Sequence, residues 1–357
     1  MGIYWSRPLL EQILSPETFS LLQQATADPT LDHLDEKTGI IPLHNGETGE
    51  WIHDIKLDWP LRLSRCKIRK LLCEGLNVQW GKFLDKIDMC QDGSCVTAIF
   101  QDGTSATGTM IVACDGGRSI VRQHAVPGPD AHSKSAPFVG VRSVFELQTD
   151  ERALKTRSIS PVTFMSAHPK GMWSLMIVLD VPDNANPKDC LFQTITSWAA
   201  DKNAVVDSTG RYPDVTIEEL QARQRMHGGL FGDIFKWAHE LPPEDIAHNQ
   251  IRVASWPTRA WNSFGGRMVL VGDAAHPMPF FRGQGLNNVI ADVALLVDAM
   301  SKVAGGADLK EELERCNGEI VERGFKAVNE AVVNCEMVHN WVALRQSDLV
   351  AKGPMHV

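Results

Sequence analysis

Apolar positions follow two different periods along this chain, and the places where the period changes mark out its elements. Near the start, Ser15-Pro16-Glu17 reads as a helix opening, with Ser as cap and Pro in the first turn, so that Phe19, Leu21 and Leu22 turn inward. Residues 29–51 are rich in Asp, Gly and Asn and read as loop. Over residues 61–76, Ile68, Leu71, Leu72 and Leu76 recur at helical spacing and predict an amphipathic helix. The period then shortens to that of strands at residues 78–80, 95–100 and 109–114, with Asp92-Gly93 and Asp102-Gly103 as turn signals. Residues 138–147, 162–167, 173–181 and 191–198 continue in strand fashion, which predicts an antiparallel sheet in a layer of its own. Helical spacing returns at 213–239. A short apolar run, 268–271, is then followed by a Pro-rich loop and a long apolar-periodic helix beginning at Asn287.

This order predicts an α/β protein in which a discontinuous, doubly wound domain (1–130 and 255–305) surrounds a β-rich insert (131–254), followed by C-terminal helices (306–357). Composition adds exclusions. The chain has 357 residues, 43% hydrophobic and 22% charged, enough to bury a sizeable core. Its formal net charge of −9, unbroken by a Lys/Arg cluster, argues against a nucleic-acid surface. No apolar stretch approaches a membrane span of roughly 20 residues. Met1 to Ser6 formally fits the myristoylation pattern, which is short and weak. The eight Cys form neither a C-x-x-C pair nor a zinc spacing. Free thiols in a reducing, cytoplasmic setting are therefore expected.

Chemistry concentrates in three stretches. Val271-Gly272-Asp273 ends a strand in a carboxylate, and Gly283-Gln284-Gly285-Leu286-Asn287 then opens a helix. A carboxylate at a buried strand end can accept two hydrogen bonds from a ribityl-like diol, and the glycines admit a flat ligand close to backbone. The helix dipole points its positive end at that ligand, which suits a flavin, anionic at N1–C2=O when reduced. The second stretch, Cys114-Asp115-Gly116-Gly117, ends another strand and opens the helix that carries Arg122. The third is Arg69, on the amphipathic helix; taken alone, such an arginine belongs to a solvated face.

Together these stretches resemble the FAD-dependent aromatic hydroxylases, the flavoprotein monooxygenases of salicylate-hydroxylase type, in the flavour found in fungal secondary metabolism. The resemblance implies FAD as cofactor and NAD(P)H as reductant. It further implies O₂ and an apolar aromatic, polyketide- or terpenoid-like small molecule as substrates, joined in a hydroxylation or epoxidation through a flavin C4a-hydroperoxide. It places Asp273 on the ribityl chain, Gly283, Gly285, Leu286 and Asn287 beside the pyrophosphate and isoalloxazine, and Arg69 reaching the flavin. Asp115 and Gly116 match a motif that handles both FAD and NAD(P)H. The β-rich insert would roof the substrate with Phe164, Met165, Met172, Trp173 and Met176, residues that ordinary sheet packing explains equally well. His168, His276 and Arg259 are the available general bases, none of them assigned.

One family feature has no counterpart. No G-x-G-x-x-G occurs, and Met1 falls where the family is already past its first strand–turn–helix unit. The expectation is an incomplete doubly wound domain with weakened FAD affinity. Such a chain reads as an incomplete gene model, as a shortened enzyme that leans on another subunit, or as a scaffold turned to cofactor-free cyclisation, isomerisation or binding.

Overall fold

The computed structural model describes residues 1–32, 36–58, 60–182, 186–348 and 350. In chain order, its principal elements begin with β1 (Ile40–Asn45), β2 (Trp51–Lys56) and α1 (Arg65–Cys73). There follow β3 (Ile111–Ala113), α2 (Ile120–Ala125), β4 (Phe138–Glu146), β5 (Thr163–His168), β6 (Met172–Asp180) and β7 (Leu191–Ala199). The last are α3 (Gly229–His239), β8 (Ala247–Ile251), β9 (Met268–Leu270), α4 (Gly285–Ala304) and α5 (Leu309–Val338).

A seven-stranded sheet runs β8-β4-β7-β6-β5-β1-β2. Every neighbouring pair is antiparallel except β5 and β1, which run parallel. The four strands expected between residues 138 and 199 form its centre. Period-two alternation gives the sheet two apolar faces. On one, Phe145, Phe164, Met176 and Phe192 pack against Phe231, Ile234 and Phe235 of α3. On the other, Leu43, Met165, Trp173 and Ile195 pack against Phe281 and against Cys335 and Val338 of α5. A separate two-stranded parallel pair joins β3 to β9, with Met268 opposite Ile111 and Leu270 opposite Ala113. α4 and α5 pack beside that pair, their buried residues sharing one core with Met268–Val271.

Five expectations need correcting. Residues 29–51 are not all loop: β1 lies within them, and Asn45 to Gly49 form the turn into β2. The Asp, Gly and Asn density marked that turn and masked the strand, which also contains Pro42. The 61–76 helix is only Arg65–Cys73, because Leu61–Arg62 pairs with Gly2–Ile3 instead. No strand forms at 78–80, where Val78 and Trp80 are exposed. The 213–239 helix is two helices, Ile217–Gln224 and α3, broken at Gly228-Gly229, where Gly228 N–H bonds Gly46 O. Cys90 and Cys95 are not free thiols but a disulfide across the 84–89/96–100 hairpin, whose turn brings their Cα atoms to 5.2 Å.

His227 and His339 are buried against the sheet. His227 Nε2 lies 3.1 Å from Ser174 Oγ, and His339 spans Cys335 O at 2.7 Å and Ser197 Oγ at 2.9 Å under the stacked ring of Phe138. Burial pushes both rings down to about 4, so the fold holds them neutral. The unfolded chain protonates its histidines near their ordinary value of about 6.5. Stability is therefore full above about pH 6.5 and drains as pH falls toward about 4, at roughly 1.4 kcal/mol per pH unit for each ring. His339→Gln is expected to flatten that decline by one ring's share, read from urea midpoints at pH 7, 6 and 5. Parallel curves for variant and parent would refute it.

Candidate functional site

The site is built where β9 and β3 end side by side. Val271 N–H still bonds Ala113 O at 2.9 Å; the chain then turns at Gly272, with φ of 62°. A Cβ there would lie 2.7 Å from Val289 Cγ2, so glycine alone allows the turn to press against α4. The turn is clamped from beneath. Asp292, fully buried inside α4, accepts from Gly272 N at 2.7 Å, from His276 Nε2 at 2.7 Å and from Arg323 Nη2 at 2.5 Å. Arg323 also bonds Asn288 O and Oδ1.

Asp273 stands on that clamped turn with its side chain open to solvent. Its carboxylate has no hydrogen-bond partner among the described residues. Desolvation by the protein packed around it raises its pKa above the ordinary carboxylate value, while His276, Arg65 and Arg122 pull it back. Arg122 ties the two strand-end motifs together. It is buried, its Nε bonds Ala131 O at 2.8 Å, and its Nη1 bonds Ala274 O at 2.7 Å and Asp273 O at 3.2 Å. Its Nη2 bonds Gly117 O at 2.6 Å, and Trp256 lies under the guanidinium at 4.9 Å.

The expected residues distribute unevenly. Asp273 lies on the turn after β9, and Gly283 and Gly285 lie at the start of α4. Gly283 turns with φ of 65°, and the Cβ direction of Gly285 meets open space above the helix start. Leu286 is half-buried in the cluster that holds Ile3, Leu10 and Ile68. Asn287 is fully engaged by the N-terminal segment, accepting from Tyr4 N at 2.8 Å and Ser6 Oγ at 2.9 Å and donating toward Gly2 O at 3.3 Å. Asp115 caps α2 through Ile120 N at 2.7 Å, and Gly116 is left-handed at φ 81°.

Arg69 is exposed over the ring of Trp80, whereas the α1 arginine whose charge reaches Asp273 is Arg65, one turn earlier. Arg259 pairs with Asp130 at the surface. His168 is buried and bonds Met226 O, and His276 is wholly enclosed on Asp292. Of the expected roof residues, Met165 and Trp173 face the Phe280–Phe281 loop. Phe164 and Met176 face α3, and Met172 packs with Leu220, as the strand period requires.

Arg65, Asp292 and Arg323 escaped sequence reading. A charge at position 292, between Ala291 and Val293 on an apolar helix, is the signal that a buried ionic clamp leaves behind. Arg65 was legible only as the (i−4) neighbour of Arg69.

The residues present fit the flavin end of FAD. An acceptor carboxylate without a partner suits a diol. The first N–H groups of α4 have no acceptor within the helix, and they point with its dipole at the space above Gly285. Among the described residues no group of His, Cys, Asp and Glu could hold a metal, and no helix is long and apolar enough to cross a membrane.

Comparison with known proteins gives the family. Residues 12–331 match the FAD binding domain family. The FAD-dependent monooxygenase cctM of Talaromyces islandicus is 31% identical over 354 residues, covering 99% of this chain and 85% of that protein. The FAD-dependent monooxygenase phnB of Penicillium herquei is 30% identical over 356 residues, covering 99% and 84%. Among solved structures, Klebsiella pneumoniae HpxO complexed with FAD and uric acid shares the fold at TM-score 0.72 and 17% identity, over 99% of this chain and 84% of that one. A salicylate hydroxylase substrate complex shares it at TM-score 0.67 and 14% identity, over 98% and 86%. The chain therefore belongs to the FAD-binding domain family, among its FAD-dependent monooxygenases.

Proposed function

We propose that the protein oxygenates an apolar aromatic or polyketide-like small molecule in secondary-metabolite biosynthesis, with O₂ as co-substrate. The observation that carries this reading is the partnerless Asp273 carboxylate on a turn clamped against α4. FAD, when bound, supplies the activation of O₂ with electrons drawn from NAD(P)H.

The chain's own residues do the rest. Asp273 accepts the hydroxyls of the ribityl chain. Gly283 and Gly285 let backbone come close, and the N–H groups of the first α4 turn stabilise negative charge on the flavin edge. Arg65 adds a positive charge that reaches Asp273, and Asp115 with Gly116 follows the end of the neighbouring strand. The substrate lies against Phe280, whose ring stacks on Phe281 at 4.4 Å and sits 6.3 Å from Trp173. That wall favours flat apolar rings and sheds water.

The test is a visible spectrum after incubation with excess FAD and desalting, followed by NAD(P)H oxidation with and without polycyclic phenols. Retained flavin bands and phenol-stimulated oxidation are expected. A folded protein that comes through colourless would overturn the reading in favour of a cofactor-free activity.

A further inference from the structure

A cavity of about 580 Å³ opens beside the edge strands of the seven-stranded sheet, on the face turned away from Phe281. The strand period puts it there. Leu43 of β1 packs toward Phe281 and α5, so Ile40, Pro42 and His44 point the other way, where His44 stands edge-on to the ring of Phe164 in the α3 layer. β2 joins them through a bulge. Leu43 lies opposite His53 but His44 lies opposite Trp51, and the skipped Ile52 brings Trp51 and Asp54 to one face although three positions separate them. Ile159 and Pro161 line the cavity from just past the helix Asp150–Arg157.

Trp51 is 59% exposed, yet its indole is tethered: Nε1 donates to Asp54 Oδ1 at 2.8 Å. No ring contacts it among the described residues. A tethered, solvent-facing indole at the mouth of an apolar cavity is a stacking surface left open.

The open polar groups are acceptors. Asp54 makes no hydrogen bond or ion pair beyond that indole among the described residues, which leaves Oδ2 available. His44 Nδ1 lies 3.0 Å from Gly49 O; a carbonyl only accepts, so in the neutral ring Nδ1 carries the proton and Nε2 presents a lone pair. That Nε2 is buried and has no partner among the described residues. The cations of the lining are engaged: Arg157 pairs with Asp28, and Lys37 has a partner of its own. A cavity with an open aromatic face and acceptors in want of donors selects a flat ligand that brings the donors itself.

We propose that this cavity binds a flat, hydroxyl-bearing aromatic molecule, stacked on Trp51 with its hydroxyl groups donating to Asp54 Oδ2 and His44 Nε2. It is a second small-molecule site, on the opposite face of the sheet from the Phe280–Phe281 loop. It goes beyond the monooxygenase reading and does not depend on it.

The test reads Trp51 directly. The full chain is labelled with fluorotryptophan, and the Trp51 fluorine resonance is assigned by its absence in Trp51→Phe. The labelled protein is then titrated with 2,3-dihydroxynaphthalene and, separately, with 2,3-dimethoxynaphthalene, which has the same rings and no donor. The diol is expected to move the Trp51 resonance saturably and to bind at least about tenfold more tightly than the dimethoxy analogue. Asp54→Asn keeps Oδ1 for the indole and replaces the open acceptor by a donor, so it should leave Trp51 in place and erase most of that preference.

An unmoved Trp51 resonance overturns the proposal. So does equal affinity for the two ligands, or a diol preference that survives in folded Asp54→Asn. Were that variant not to fold, the comparison of the two ligands in the parent protein decides by itself. The readout needs neither flavin nor turnover, so its failure leaves the monooxygenase reading untouched, and loss of that reading leaves the cavity as it is.

Discussion

Asp273→Ala is expected to cost the protein its flavin while leaving its fold intact. The carboxylate makes no hydrogen bond inside the protein among the described residues, so its removal strands no partner. Its worth lies in the two oxygens it offers to a diol. Two hydrogen bonds to a charged acceptor are worth about 3 kcal/mol together, so the FAD dissociation constant should rise roughly 100-fold. Fluorescence titration of FAD measures the first quantity and a urea melt of the apoprotein the second. Asp273→Asn keeps one acceptor oxygen and should fall between parent and Ala. Because the surrounding protein raises the pKa of this group, acid should release flavin at a higher pH than an ordinary carboxylate would dictate. A variant that binds FAD like the parent would remove Asp273 from the site.

The sheet was legible because β4, β5, β6 and β7 are long and strongly alternating, and their positions agree with the sequence pattern to within a residue or two. β1 was not. It carries Pro42, His44 and Asn45, and its burial comes from tertiary pairing with β5, which no local pattern encodes. The 78–80 stretch fails for the opposite reason. Its apolar residues satisfy a strand pattern, yet nothing among the described residues pairs with them.

The site shows the same division. The Gly-Asp turn and the glycines before α4 were readable as a strand–turn–helix join because that local geometry follows from residue type and order. Asn287 read as a cofactor contact, but the structure gives its amide to Tyr4, Ser6 and Gly2, partners more than 280 positions away in sequence. Arg65 and Arg69 share one helix and differ by one turn; Arg69 lies over the ring of Trp80, while the charge of Arg65 reaches Asp273. The ionic clamp of Asp292 with His276 and Arg323 joins α4, the Gly-Asp loop and α5, and spacing alone could not have connected them.

Arg122→Met is expected to be the most destabilising of the single changes considered. The side chain has almost no solvent exposure and spreads its nitrogens over the carbonyls of Gly117, Ala131, Asp273 and Ala274. Methionine fills much of the volume and keeps contact with Trp256 but leaves those carbonyls buried and unpaired. The cost should be about 4 kcal/mol, in the range of breaking a buried charged network. Burial pulls the guanidinium down to about 10, still far above neutral pH, so the group acts as a permanent cation. Lysine offers one point of attachment in place of a planar fork and should recover only a minority of the loss. Arg259→Ala is the control: its pairing with Asp130 is exposed to solvent, and its removal should cost less than about 1 kcal/mol. Urea midpoints of the three variants decide the order. Were Arg122→Met as stable as Arg259→Ala, the carbonyls would have to find other donors, and Arg122 would not be the tie between the two strand ends. If the order holds, FAD affinity should fall along with stability in Arg122→Met and not in Arg259→Ala, because Arg122 grips the backbone of Asp273 itself.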